Sequence, residues 1–392
     1  MILLICAVGV PFIHLLYSAI FDRVMPLNDV LLYGYWLQQM QLGEPIMGIQ
    51  QDLVYPFPAL LPMVLAKLLG GPAGILVGWS TLIGILNAFA IATLTSWGRG
   101  SRACFIASWV WLAFLLVLGP VGIGRIDSVA AAIAVFGIVA FAKERIGLAT
   151  ALFSMGAWIK IWPFVLAIAT FISDRRQRLV GYAAVATTGA VLVFAAAAGG
   201  NASVFSFIFT QGSRGIQIES PVAMFWIWAA KLGAPNTGIY YDKEIITNQV
   251  FGSWVGEVST LMSLIMFIAI AITIWLARAA ILSGAQRNEL FAVASLTAVL
   301  DLIVFNKVGS PQFMAWLIVP VLALILFEVK NLRLIIAVVF AIGALTHLVY
   351  PVLYLDLMGL SDLSVITLTF RNALLIYLLV YVNYRLAKLR IK

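Results

Sequence analysis

Long apolar runs dominate this sequence and constrain its fold more than any other feature. They lie near residues 2–20, 73–97, 102–119, 126–142, 146–172, 178–198, 254–281, 288–305, 311–327, 332–350 and 365–386. A helix that crosses a bilayer needs roughly 17–25 such residues. Hydrophobic residues make up 63% of the chain and charged residues only 10%, against about 25% charged in soluble domains. The sequence therefore predicts an all-α polytopic membrane protein.

The basic residues indicate how these runs cross the membrane. They form short clusters between apolar runs, so the net charge of +8 does not indicate a nucleic-acid-binding face. Basic clusters favour the cytoplasmic side. We expect a multi-pass protein of the plasma membrane, with both termini cytoplasmic and a single domain over 1–392. The clusters assigned to the cytoplasm are Arg99/Arg102, Lys143/Arg145, Arg175/Arg176/Arg178, Arg278/Arg287, Lys330/Arg333 and the tail from Arg385 to Lys392.

Two segments need a special interpretation. A single pass through 146–172 would put basic clusters on opposite sides, whereas a hairpin of two short helices, broken at "AWIKIWP", keeps both on one side. The run 58–69 is too short to span, and Pro58, Pro62 and Lys67 interrupt it, so we interpret it as an interfacial or re-entrant helix. Together these assignments predict a bundle of about twelve transmembrane segments.

This topology places the unusual polar stretches on the extracytoplasmic side. Irregular backbone at membrane depth is tolerated where it lines protein or a water-filled cavity. We therefore expect a cavity that opens outward, in contact with membrane lipid. The stretches are the first loop 21–57 with its amphipathic helices, 119–128, the hairpin tip at Lys160, the long loop 199–253, 305–313 and 346–364.

The first loop carries the candidate catalytic residue. Asp29, Tyr33 and Trp36 are spaced to share one side of a helix that begins near Asn28. Either Asn28 or Asp29 merely caps this helix, or the Asp29 carboxylate is a general base that deprotonates an acceptor hydroxyl. The other acidic candidates and the aromatic residue of this loop are Asp22, Asp52 and Tyr55.

Four cations are predicted to face the same cavity: Arg125, Lys160, Arg214 and Lys307. Snorkelling is the alternative for Arg125 and Lys307, and an ordinary Arg/Glu loop pair is the alternative for Arg214. Lys160 is costly in an apolar run unless it meets an anion or water. Candidate pocket residues near these cations are Asp127, Trp158, Gln217, Glu219, Ser310, Gln312 and His347. For Asp127 the alternatives are a local ion pair and a helix cap, and for His347 the alternative is a packing role.

Cations amid aromatic residues suit a phosphate or diphosphate group held at membrane depth, and aromatic rings suit sugar faces or an isoprenoid chain. The sequence has no DxD, no HExxH and no Gly-rich phosphate loop, and Cys6 and Cys104 are isolated. A nucleotide-sugar donor, zinc hydrolysis and a disulfide framework are therefore poorly supported. A transporter or flippase of a lipid-linked sugar is an alternative, although no internal repeat is visible.

The motifs resemble those of the GT-C membrane glycosyltransferases over nearly the whole chain. They are, in order, "NDVLLYGYWLQQMQLGEP", "VYPFPALLPM", "GRIDSVAAAIA", "GAWIKIWP", "RGIQIESP", "SPQFMAWL" and "RNALL". More narrowly, the sequence is similar to the actinobacterial polyprenol-phosphate-mannose-dependent α-mannosyltransferases, with arabinofuranosyltransferases nearby.

The resemblance implies inverting sugar transfer from a polyprenyl-phosphate donor to a cell-envelope glycolipid or polysaccharide. It implies that Asp29 is the catalytic aspartate, that Arg125 and Lys160 lie near the donor phosphate, and that "SPQF" lines the pocket with His347 as a candidate. A single strong first-loop aspartate differs from branches that use two acidic residues and a metal. We therefore expect no metal, no other cofactor and no obligate protein partner.

Overall fold

The computed structural model describes residues 1–21, 23–212 and 214–389. Asp22 and the end of the basic tail, residues 390–392, lie outside the described residues. The described chain forms the helices α1 Ile2–Ser18, α2 Asn28–Gln41, α3 Leu60–Gly70, α4 Ile75–Leu94, α5 Arg102–Leu118, α6 Ile126–Ala142, α7 Ile146–Ile159, α8 Phe164–Ser173, α9 Gln177–Ala197, α10 Ser206–Gly212, α11 Met224–Lys231, α12 Val255–Leu282, α13 Arg287–Val304, α14 Met314–Leu326, α15 Arg333–His347, α16 Tyr354–Met358 and α17 Asp362–Leu389. Two antiparallel strands, β1 Gly238–Asp242 and β2 Thr247–Phe251, form a hairpin between α11 and α12.

The helices have the length and surface of membrane segments. Among the described residues, five helices are long and apolar enough to cross a bilayer: Ile75–Leu94, Gln177–Ala197, Val255–Leu282, Arg333–Val352 and Asp362–Leu389. Further apolar helices have 10–17 residues. The long helix α12 exposes large apolar side chains, including Phe267 and Trp275, a surface that suits lipid and not water. The prediction of an all-α polytopic membrane protein is confirmed.

The centre of the bundle is formed by α6, α13 and α14. Nearly every side chain of these helices is buried, because they are apolar on all sides and are surrounded by other helices. Ala and Gly in α6 allow close approach; a Cβ at Gly137 would lie 2.4 Å from the Phe153 ring in α7. This packing fixes the start of α6 and the start of α14 relative to each other, which matters for the site.

The segment 146–172 is the hairpin that the sequence predicts. Helix α7 ends at Ile159, the chain turns through Lys160 to Pro163, and α8 returns. The loops at the base of this hairpin meet the start of α13 in an ion network, in which Arg176 and Arg287 each pair with both Glu144 and Asp174. Three of the basic clusters assigned to the cytoplasm therefore lie at one end of the bundle, and the hairpin tip with Lys160 points to the other.

The β-hairpin is an element that the sequence analysis missed. Main-chain hydrogen bonds join β2 to residues 216–218, which precede α11. The Ile218 N–H donates to the Asn248 carbonyl (3.2 Å), and the Val250 N–H donates to the Ile216 carbonyl (3.0 Å). The signal was present, since "GIYYD" and "TNQVF" are two short runs rich in β-branched and aromatic residues, separated by a four-residue turn that begins with Lys243 and Glu244. The described part of the long loop 199–253 thus contains the helices α10 and α11 and both strands, and it is not an irregular loop.

Candidate active site

The first loop places Asp29 beside a buried arginine. Helix α2 begins at Asn28, as the spacing predicts, but no side chain caps it, and Asp29 lies in its first turn. The capping alternative for Asn28 and Asp29 is therefore wrong. Asp29 Oδ2 lies 2.9 Å from Arg125 Nε, and the Asp29 side chain remains 32% exposed. Its carboxylate is thus oriented by one strong ion pair and still open to a ligand.

Arg125 holds the first loop against the start of α6. Its Nη1 donates to the carbonyl oxygens of Pro26 (2.8 Å) and Gly124 (3.1 Å), and its side chain is only 8% exposed. Tyr33 adds a second tie, because the Ile126 N–H donates to the Tyr33 hydroxyl (3.1 Å). The hydrogen bonds of the buried Arg125 guanidinium are charge-assisted, and they are therefore stronger than hydrogen bonds between neutral groups. The position of Asp29 therefore depends on Arg125 as well as on α2.

Lys160 at the hairpin tip is surrounded by a carboxylate and aromatic rings. Its Nζ lies 3.8 Å from Asp127 Oδ2 and 4.7 Å from the centre of the Tyr55 ring. Asp127 Oδ1 accepts a hydrogen bond from Trp316 Nε1 (2.7 Å), and the Trp316 ring stacks on Trp162. Trp316 and Lys160 give the buried Asp127 carboxylate the partners that a charged group inside a protein needs. The alternative that Asp127 is only a cap is not supported, because Arg125 is at the N-cap position.

The loop 214–220 and the loop 305–310 form an adjoining wall. The Gln217 N–H donates to the Lys307 carbonyl (3.0 Å), and Ser310 Oγ donates to Gln217 Oε1 (3.0 Å). The chains touch so closely that a Cβ at Gly309 would lie 2.2 Å from the Ser220 nitrogen. Arg214 and Lys307 lie within electrostatic reach of each other on this wall, and Arg214 also lies within reach of Asp29.

Glu219 belongs to this wall, and its side chain lies in a buried polar cluster. Arg371 Nη2 donates to the Glu219 carbonyl (2.6 Å), and Asn372 Nδ2 donates to the Ser220 carbonyl (3.4 Å). The Glu219 side chain is buried, and its Oε2 has no hydrogen-bond partner among the described residues. Burial raises the pKa of the Glu219 carboxyl to about 7, although contacts with Arg371, Gln217 and Tyr354 oppose that rise.

This pKa predicts a pH-dependent stability. The folded Glu219 holds a proton that the unfolded chain releases near its ordinary pKa of about 4.3, so the stabilising contribution is complete below that pH and is lost as pH rises toward 7. We expect Glu219→Gln to abolish this loss and to raise the melting temperature at pH 8 relative to wild type. Thermal unfolding of both proteins in detergent from pH 4.5 to 8 measures it. The exposed acid of α12 gives the control, Glu257→Gln; equal pH profiles for wild type and Glu219→Gln would contradict the assignment.

The structure separates the sequence-predicted site residues into groups. One group surrounds the two ion pairs and contains Asp29, Tyr33, Trp36, Tyr55, Arg125, Asp127 and Lys160. The adjoining wall contains Arg214, Gln217, Glu219, Lys307 and Ser310. The remaining residues have other surroundings: Trp158 donates to Thr188 in α9, Asp52 is exposed, Gln312 is half-buried, and His347 contacts the Tyr17 hydroxyl and the Val117 carbonyl.

Four residues that the sequence analysis did not assign also belong to these groups: Trp316, Tyr350, Tyr354 and Arg371. Tyr350 lies beside Arg125, and the Tyr354 hydroxyl accepts from Asn248 Nδ2 (3.1 Å). Arg371 had a clear signal, since an arginine inside the last apolar run is expensive unless it has a partner. The tyrosines and Trp316 had none, because aromatic residues occur throughout this chain.

The described residues contain no group of three or more His, Cys, Asp or Glu side chains placed to hold a metal ion. Asp29 and Asp127 each form an ion pair with a basic residue. Metal independence stays a prediction.

A polytopic helical bundle with carboxylates, cations and aromatic rings gathered at one end is an arrangement that suits a membrane enzyme. The model of glycosyltransferase family 87 matches residues 53–306. The chain therefore belongs to glycosyltransferase family 87, and it is a membrane glycosyltransferase. No curated protein matches the sequence significantly. The matched range includes Arg125, Lys160 and Arg214, whereas Asp29 and Lys307 lie outside it.

Proposed function

We propose that this glycosyltransferase moves a sugar, with mannose favoured, from a polyprenyl-phosphate donor to a hydroxyl of a cell-envelope glycolipid or polysaccharide. The observation that carries the proposal is the Asp29–Arg125 pair, with an accessible carboxylate next to a lysine that sits on an aromatic ring. A base and a cation-rich pocket are the two parts that sugar transfer from a lipid phosphate requires.

The proposed reaction is a single displacement. The acceptor oxygen attacks the anomeric carbon, its proton passes to Asp29, and the bond from the anomeric carbon to the phosphate oxygen breaks. The leaving group departs as polyprenyl phosphate, whose charge is stabilised by nearby cations. Arg214 and Lys307 lie on the adjoining wall and would supply part of this positive charge. Arg125 and Lys160 would then orient the site and add to its positive field.

The topology proposed for the protein follows the charge distribution. The ion network of Glu144, Asp174, Arg176 and Arg287 lies at the end that the basic clusters assign to the cytoplasm. The active site, at the opposite end, would face the extracytoplasmic side, with both termini in the cytoplasm. A lipid-linked donor fits this location, because its prenyl chain stays in the bilayer while its phosphate reaches the interface. No metal, other cofactor or protein partner is included in the proposal.

Two alternatives remain as proposals of lower rank: an arabinofuranosyltransferase that uses polyprenyl-phosphate arabinose, and a flippase of a lipid-linked sugar. Purified protein in liposomes should be given radiolabelled polyprenyl-phosphate mannose, polyprenyl-phosphate arabinose or a nucleotide mannose, together with acceptor lipids from a cell envelope. We expect transfer from polyprenyl-phosphate mannose and none from the nucleotide sugar. Transfer from arabinose alone would select the first alternative. Donor movement across the bilayer without transfer would select the second.

A further inference from the structure

The β-hairpin β1–β2 extends the active site outward. Its attachment to the segment 216–218 continues through the Gln217 N–H, which donates to the Lys307 carbonyl. A Cβ at Gly215 would lie 2.0 Å from Gln249 Oε1, so glycine next to Arg214 allows the Gln249 side chain to approach the backbone. The hairpin is therefore fixed to the same wall that carries Arg214 and Lys307.

The two faces of the hairpin differ in character. Side chains alternate along a strand, and the register pairs Tyr240 with Gln249 and Tyr241 with Asn248. One face carries Val250, which is buried, and Asn248, which donates to the Tyr354 hydroxyl, whereas Tyr241 on this face is exposed. The other, outer face carries Tyr240 and Asp242, and Gln249 beside them is buried against Gly215.

That outer face has the parts of a sugar-binding subsite. The Tyr240 ring is 42% exposed, and its hydroxyl donates to Gln249 Oε1 (3.5 Å), while Gln249 Nε2 donates to Asp242 Oδ2 (3.5 Å). An exposed ring fixed by its hydroxyl can stack on the apolar face of a sugar. The neighbouring Asp242 carboxylate can bond the sugar hydroxyls, while the buried Gln249 amide orients the Tyr240 hydroxyl.

The subsite is continuous with the catalytic groups. Arg214 lies within electrostatic reach of both Asp242 on the hairpin and Asp29 on α2. Arg214 thus interacts electrostatically both with the proposed base, Asp29, and with Asp242 on the hairpin. A sugar residue that presents its hydroxyl to Asp29 would leave the rest of its glycan free to extend in this direction.

We propose that the outer face of the hairpin, with Tyr240 and Asp242, binds the glycan of the acceptor beyond the sugar that reacts. This inference rests on the proposed function for the order of the two sugars, but the binding of a glycan to the hairpin can be measured without any transfer. The ligand class is a short neutral oligosaccharide, because the face offers one aromatic ring and hydrogen-bonding groups.

The test uses two octyl glycosides as acceptors, one with a single mannose and one with three. Tyr240→Ala should raise KM for the trisaccharide about tenfold, the scale of one lost aromatic contact, with kcat and the KM for the monosaccharide unchanged. Tyr241→Ala, on the opposite face and 54% exposed, is the matched control and should behave as wild type. Tyr240→Phe keeps the ring and should retain most of the affinity, which separates stacking from misfolding.

A second measurement does not depend on transfer. Saturation-transfer NMR on the full-length protein in detergent, without donor, should detect binding of mannotriose or arabinofuranotriose by wild type and Tyr241→Ala and lose it in Tyr240→Ala. If this binding is observed but no polyprenyl-phosphate sugar supports transfer, the proposed reaction fails and the subsite stands. Equal binding by Tyr240→Ala, or no binding of either trisaccharide to wild type, would overturn the subsite.

Discussion

Asp29→Asn is expected to lower kcat for sugar transfer by about two to four orders of magnitude, the usual contribution of a positioned general base. Asparagine has almost the same shape but does not accept the proton of the acceptor hydroxyl. Its effect should fall on kcat and leave the KM for the donor nearly unchanged, because Asp29 acts on the acceptor. Turnover measured with a radiolabelled polyprenyl-phosphate sugar checks this.

The control for Asp29→Asn is Asp52→Asn, which removes an exposed carboxylate from the same loop and should retain wild-type turnover. Asp29→Asn also leaves the buried Arg125 without its counter-charge, which is destabilising. Thermal unfolding must therefore accompany the assay. If the variant is folded at the assay temperature and turns over at the wild-type rate, Asp29 is not the base.

Arg125→Met is expected to have the second largest effect, a loss of about two to three orders of magnitude in kcat/KM, because it removes both an electrostatic partner and a positioning contact. Methionine fills part of the volume but donates no hydrogen bond to the Pro26 and Gly124 carbonyls. The first loop should then hold Asp29 less precisely. Turnover measured over a range of donor and acceptor concentrations gives the loss in kcat/KM.

The same loop provides the control for this arginine. Arg23→Met removes an exposed arginine and should leave turnover unchanged. Arg125→Lys keeps the charge but not the geometry of the guanidinium, so its activity should lie between wild type and Arg125→Met. An Arg125→Met protein with wild-type turnover would show that the ion pair is only structural.

The sequence predicted the main features of the fold because membrane segments obey strong rules. The length of the apolar runs and the basic clusters predicted the helices. The basic clusters on both sides of 146–172 predicted a hairpin there, with Lys160 at its tip. The β-hairpin was missed because its runs are short and lie in a loop. The exact helix ends were approximate; the run 73–97, for example, becomes a helix over Ile75–Leu94.

The site was only partly predictable from the sequence. The spacing of Asp29, Tyr33 and Trp36 predicted their shared helix, and the topology placed the cations at one end. Pairing was beyond the sequence, since the Asp29–Arg125 contact joins positions almost a hundred residues apart and depends on how α2 docks on α6. The sequence predicted that all four cations bind a phosphate. In the structure, Arg125 and Lys160 contact carboxylates, and Arg214 and Lys307 lie on the adjoining wall.

The central claim is a single displacement in which Asp29 acts as a base and not as a nucleophile. The anomeric configuration of the product tests it directly, since one displacement inverts the anomeric centre and a covalent sugar–enzyme intermediate retains it. The product made from a polyprenyl-phosphate sugar of known configuration should be isolated and examined by NMR through its one-bond carbon–hydrogen coupling. We predict the configuration opposite to that of the donor. A product with the donor's own configuration would contradict the account.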